Sequence, residues 1–273
     1  MEILAFSFMQ RAIAAGVLIA LACSVLGVFL VLRRDAMLGH GLAHVTFGGV
    51  ALGLLLHISP LWTALAVSIL AGILLLKLRE AAGLHGDTAI GIVSSVGFAL
   101  GIVIASVSGS FSVELFSYLF GNILAIGTGE VWVSIALAAT VFLAVLLNYN
   151  DLVAIAFDHE LARTSGVPAV RLDLLLAVLS AVTVVLAMKV VGLLLVAALI
   201  VIPAATALQM AANFRMAIIF SGLVGMFSVL AGLATSYRLD LPASGTIVLV
   251  EAVLFAAAWA AANLLKKKGG INF

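Results

Sequence analysis

Residues 12–32 read AIAAGVLIALACSVLGVFLVL, a run with no charged side chain, closed at once by Arg33 and Arg34. A bilayer core about 30 Å thick is crossed by about 20 apolar residues in helical form, so this stretch is long enough to span it. It is also far longer than the apolar core of a secretory signal. Arg11 merely opens it, no small-residue cleavage site follows, and the segment is expected to stay in the mature protein.

The rest of the chain repeats the pattern. Of 273 residues, 65% are hydrophobic and 9% charged, against about 25% charged in an ordinary soluble domain. So few charges cannot cover the surface of a water-soluble globule of this size, which excludes that class. The 13 basic and 12 acidic residues leave a net charge of +1, so no strong field points to nucleic acid. Cys23 is the only cysteine, so neither an intramolecular disulfide nor a thiolate zinc cage can form, and it is read as packing.

With the charged residues as separators, nine spans emerge at 12–32, 36–56, 61–77, 89–107, 131–147, 172–188, 190–208, 216–236 and 244–264. Residues 111–125, carrying Glu114, are apolar but interrupted, and fit a re-entrant or interfacial helix. The expected fold is all-α: a polytopic integral membrane bundle of about 8–9 transmembrane helices plus that short helix, forming one transmembrane domain over 1–273. Basic residues gather on the cytoplasmic side of membranes. With the N-terminus outside, Arg33 with Arg34, Lys77 with Arg79, Arg163 with Arg171, Arg215 and Lys266 to Lys268 all fall there, and the C-terminus is cytoplasmic. Lys189 and Arg238 fall on the other side, at helix ends from which they can snorkel. Gly49 with Gly53, and Gly97 with Gly101, have the small-xxx-small spacing that lets helix backbones meet.

Ionisable groups inside lipid cost several kcal/mol and are functional candidates by default. His40 and His44 in the second span and Glu251 in the last qualify, with Glu114 weaker. In a helix, His40 and His44 share one face one turn apart, and Gly39-His40-Gly41-Leu42-Ala43-His44 leaves room beside them for an ion or a partner helix. A zinc protease would need Glu directly after the first histidine as general base, and position 41 is Gly. The pair can therefore bind a metal but has no evident means of activating water, which favours carriage over hydrolysis. Imidazole suits Zn²⁺ better than Mn²⁺. The bland reading is that each ring hydrogen-bonds a neighbouring helix. Glu251 and Asp240 are further, weaker metal candidates; Glu251 could pair with His40 or His44, with Lys189, or sit neutral, and Asp240 is most simply a loop residue ahead of Pro242.

The longest internal polar stretch runs from Asn148 to Arg171. Within it, Asp158 and Glu160 suit a helix start, Gly166 a stop, and Pro168 prevents continuation, giving a short helix that is marginal unless it docks on something. Asp87 is read as an N-cap of the fourth span, Pro203 as a kink or turn near a helix end, and His57, His85 and His159 as loop residues at the surface. No G-x-x-x-x-G-K-[ST] motif occurs, so nucleotide hydrolysis would have to come from another subunit.

Several segments, in order, resemble the zinc and manganese permeases of ATP-binding-cassette importers, the ZnuB-like membrane subunits. They are Phe8-Met9-Gln10-Arg11-Ala12, Leu42-Ala43-His44 with Gly49 to Gly53, Asp87 to Gly91, Tyr118-Leu119-Phe120-Gly121, Asp158 to Pro168, Lys189 to Leu195 with Ile202-Pro203-Ala204-Ala205, and Asp240-Leu241-Pro242. The resemblance covers nearly the whole chain. It implies a homodimer in the cell membrane, two cytoplasmic ATPase subunits, an extracytoplasmic metal-binding protein, and no resident cofactor. It further implies that Asp158, Glu160, Leu161, Arg163 and Gly166 belong to a coupling helix seated in the ATPase. The family's second-span pair is usually Asp and then His, both contacting the ion; here His40 replaces the Asp. The usual Leu-Pro-Gly after the histidine is Thr46-Phe47-Gly48-Gly49, and the Asp frequent after Phe-Gly is Asn122. The reading is a non-enzymatic zinc permease, with manganese or iron as alternative cargo and an ATP-independent channel or carrier as the alternative class.

Overall fold

The computed structural model describes residues 6–82, 86–107, 118–119, 121 and 126–269. Its helices are α1 (Ser7–Leu32), α2 (Met37–Leu55), α3 (Pro60–Ala82), α4 (Gly86–Val107), α5 (Thr128–Leu147), α6 (Tyr149–Phe157), α7 (His159–Thr164), α8 (Ala169–Val191), α9 (Leu193–Met210), α10 (Phe214–Leu239) and α11 (Ala243–Gly269). Among the described residues nine helices are long and apolar enough to cross a membrane, and no strand occurs. In lipid each backbone N–H and C=O must be satisfied within its own segment, which leaves helices as the outcome for such apolar runs.

Local chemistry sets the breaks. Pro60 opens α3, where a missing N–H costs nothing. The Asn213 side chain accepts from Met216 N–H at 3.0 Å and caps α10, and Asp240 ends that helix with a left-handed φ of 52°. The boundary expected at Lys189 lies three residues later, at Gly192, whose φ of 86° suits glycine. Lys189 therefore sits in the last turn of α8, where its ammonium pairs with Glu130 of α5 at 2.9 Å.

Four sequence expectations need correction. Asp87 lies within the first turn of α4 rather than capping it. Pro203 is internal to α9 rather than near an end; without an N–H it cannot donate to the Leu199 carbonyl, a break that membrane helices tolerate. The polar stretch after Asn148 is not a loop with one short helix, because Tyr149–Phe157 forms α6 with Leu152, Ile155 and Ala156 buried. His159 opens α7 instead of lying in a loop, and its partly exposed ring hydrogen-bonds Asp173. The interrupted segment 111–125 and His85 lie outside the described residues.

α2 packs on α3, α4 and α8, while α1, α9, α10 and α11 pack together, with α1 and α9 joining the two groups. The small-residue spacings act as expected. A Cβ on Gly49 would lie 2.7 Å from the Ala64 Cα of α3, and one on Gly48 would lie 2.6 Å from the Gly97 carbonyl of α4. At one end of the bundle Phe214 packs edge-on to Phe29 with centroids 5.2 Å apart, and Arg215 lies over the Tyr149 ring. Arg33, Arg34, Lys77, Arg79 and Arg163 line one cavity there, so basic groups assigned to one side of the membrane do meet at one end of the bundle.

Backbone contact at Gly49 leaves no room for a methyl group, and overpacking of this kind costs about 1–3 kcal/mol. Gly49→Ala should lower the apparent melting temperature of the detergent-solubilised protein. Gly91→Ala, whose Cβ would meet nothing within 4 Å, should leave it unchanged or raised, as read by fluorescence-detected gel filtration after heating.

Candidate functional site

His40 and His44 lie on the face of α2 that the i, i+4 spacing requires, and their Nε2 atoms are 3.0 Å apart. The rings stand nearly perpendicular, centroids 4.6 Å apart. Two imidazole nitrogens bound to one tetrahedral zinc at about 2.0 Å are separated by about 3.3 Å, so once the Nε2 that donates gives up its proton or passes it to Nδ1, both nitrogens can turn toward one ion with little movement. His44 stacks edge-on against Phe98 of α4 at 4.9 Å, and its Nδ1 is buried with no partner. Both rings are half-buried. Among the described residues neither ring hydrogen-bonds a side chain of a neighbouring helix; each bonds the other.

The surrounding small residues explain how two rings fit here. A Cβ on Gly39 would press on Ile200 of α9, and one on Gly41 on Ile90 of α4. Glycine at both places lets those helices close around α2 while the histidines occupy the remaining face.

The other candidates do not join the pair. Glu251 is fully buried in α11 with neither carboxylate oxygen bonded, so it pairs with none of His40, His44 and Lys189. Asp240 is the exposed end-cap of α10. Among the described residues no group of three or more His, Cys, Asp and Glu side chains is placed to hold a metal. Within one copy the described donors therefore stop at two imidazoles. Glu114 lies outside the described residues.

The short helix forms as expected. The Asp158 carboxylate accepts the Leu161 N–H at 2.9 Å as the N-cap of α7. Gly166, at φ 89°, ends it. Glu160, Leu161, Arg163 and Gly166 are exposed, and so is Phe157 at 70%. Two large apolar side chains displayed beside a charged cavity form a surface suited to a partner.

That cavity, about 980 Å³, is walled by the α1–α2 corner, the end of α3, the start of α4, and α6 to α8. Sequence reading missed its polar frame. Arg33 Nη2 donates to one oxygen of Asp173, and His159 Nε2 donates to the other at 3.0 Å. Arg79 pairs with Asp35 at 2.9 Å, and Arg33 lies 3.6 Å from the same carboxylate. Arg33 and Asp173 are 140 positions apart, and no spacing rule joins residues so distant.

The sequence matches the ABC 3 transport family over residues 5–262. The chain belongs to the ABC 3 transport family. Within that family it is 34% identical over 251 residues to a probable metal transport system membrane protein of Treponema pallidum, covering 92% of this chain and 94% of the relative. It is also 34% identical to the manganese import system permease protein ScaB of Streptococcus parasanguinis, covering 92% and 89%. A solved structure of PsaBC from Streptococcus pneumoniae in complex with Fab superposes with a TM-score of 0.84 at 31% identity, covering 94% of this chain and 93% of that one.

The cap on the α7 of this family member is directly testable. Losing an Asp N-cap costs about 1 kcal/mol. Asp158→Ala should speed amide exchange at Leu161 about fivefold, whereas Asp158→Asn should not, as read by hydrogen–deuterium exchange.

Proposed function

We propose that this chain is the membrane subunit of an ATP-binding-cassette importer, a single permease domain that carries a divalent transition metal past His40 and His44. The observation that carries the reading is the facing pair of imidazole nitrogens, 3.0 Å apart on a helix enclosed by others. Two nitrogen ligands bind an ion without caging it, as a site that must release its cargo requires. Membership of a transport family supports reading the chain as a transport component rather than an enzyme.

Energy comes from ATP split on a separate pair of cytoplasmic subunits docked on α7, and an extracytoplasmic binding protein delivers the ion. The permease works as a homodimer in the cell membrane. Because the described residues of one copy bring two donors together, a second copy is a natural source of further ligands. The basic end of the bundle faces the cytoplasm, with the N-terminus outside and the C-terminus inside.

Zinc is the cargo that the donors favour, since an all-nitrogen pair suits Zn²⁺ and disfavours the oxygen-seeking Mn²⁺. A second reading, manganese, is supported by the printed function of the ScaB relative. Substitution at position 40 separates the two.

In proteoliposomes holding the assembled importer, His44→Ala should abolish uptake of radioactive zinc with the complex intact; undiminished uptake would remove the site. His40→Asp should still transport, with its preference shifted toward manganese. A wild-type importer that already prefers manganese would overturn the zinc assignment but not the site.

A further inference from the structure

Arg34, where the chain turns from α1 into α2, has a left-handed φ of 59°. Such a conformation in a non-glycine residue persists only where its surroundings hold it, and it marks places where strain is used. Here both neighbours are held from other elements. Arg33 is tied to Asp173 near the start of α8, and Asp35 to Arg79 near the end of α3.

Asp173 makes a second contact. Its other oxygen accepts His159 Nε2–H at 3.0 Å, and His159 is the first residue of α7. One carboxylate thus grips the α1–α2 corner with one oxygen and the short exposed helix with the other. The side chains of Arg33 and Asp173 are 11% and 16% exposed, so solvent and salt screen this contact less than a surface pair.

The corner also reaches the histidines. The Asp35 carbonyl accepts the Leu38 N–H at 2.9 Å, so the corner and the first turn of α2 are bonded together. His40 follows within the next turn, about 7.5 Å along the helix from Asp35. A displacement of α7 therefore has a polar route through His159, Asp173, Arg33 and Asp35 to the first turn of α2, the helix that carries the pair.

We infer that His159, Asp173 and Arg33 form a relay through which the seating of the ATPase on α7 repositions the α1–α2 corner and, with it, the histidine pair. These are positioning residues and touch neither metal nor nucleotide. What docks on α7 rests on the importer reading; the connection between α7 and the corner does not.

Hydrogen–deuterium exchange on the full-length permease in nanodiscs, without an ATPase, tests the connection alone. His159→Ala, a change on α7, should raise exchange across residues 33–38 about threefold or more while α10 and α11 stay as in wild type. Asp173→Asn should do the same, and Asp173→Glu should restore most of the protection. An unchanged corner, or a rise spread through every helix, overturns the relay.

A second measurement reads the coupling in proteoliposomes carrying the assembled importer. Asp173→Asn should lower the number of zinc ions moved per ATP split about tenfold, with the ATPase still bound and its basal hydrolysis unchanged, and Asp173→Glu should recover it. An unchanged ratio overturns the relay, as does a loss of uptake matched by loss of bound ATPase. If the wild-type complex moves none of zinc, manganese and iron, the importer reading fails, and the exchange result still decides whether α7 and the corner are connected.

Discussion

Backbone contact at the glycines of α2 is the constraint on which the bundle depends. Gly48 and Gly49 meet α4 and α3 at distances where any Cβ would clash with main-chain atoms, and Gly53 sits as tightly against the start of α3. Between lipid-immersed helices there is little hydrophobic drive, so close van der Waals approach has to supply the association. Once α3 and α4 are drawn in at these points and α9 closes over Gly39, the histidine face of α2 is partly covered by its neighbours. The same close packing that holds the bundle together half-buries two polar rings.

The shielding gives the two histidines a different standing from the other buried ionisable group. Glu251 is wholly buried without a partner, in a part of the bundle built from α1, α9, α10 and α11. His40 and His44 have each other, a neighbouring aromatic ring and partial exposure. An ion can reach and leave a half-buried pair, and cannot readily do so at a carboxylate with no accessible surface. The opposite end of the bundle is fastened differently, by Lys189 of α8 pairing with Glu130 of α5 beside the break at Gly192.

Much of this was legible in the sequence because hydrocarbon admits few solutions. Uncharged runs such as 12–32 and 216–236 could only be helices, and the nine expected spans correspond to the nine long helices among the described residues. The i, i+4 rule placed His40 and His44 together, and the Asp158, Gly166 and Pro168 signals located α7, since both are local geometry. What escaped was either tertiary or tolerated against propensity. Pro203 sits inside a helix because membrane packing absorbs its lost bond, and α6 forms because its apolar face has the bundle to bury against. The contacts of Asp173 with Arg33 and His159 depend on elements far apart in the chain, which no periodicity reports.

The most direct test of the central claim is X-ray absorption at the zinc edge on the full-length permease loaded with zinc in nanodiscs. Ligation by the histidine pair predicts a first shell containing imidazole nitrogens at about 2.0 Å, with the multiple-scattering signature of the rings and no sulfur at about 2.3 Å. A shell made only of oxygen, or one containing the Cys23 sulfur, would contradict the account.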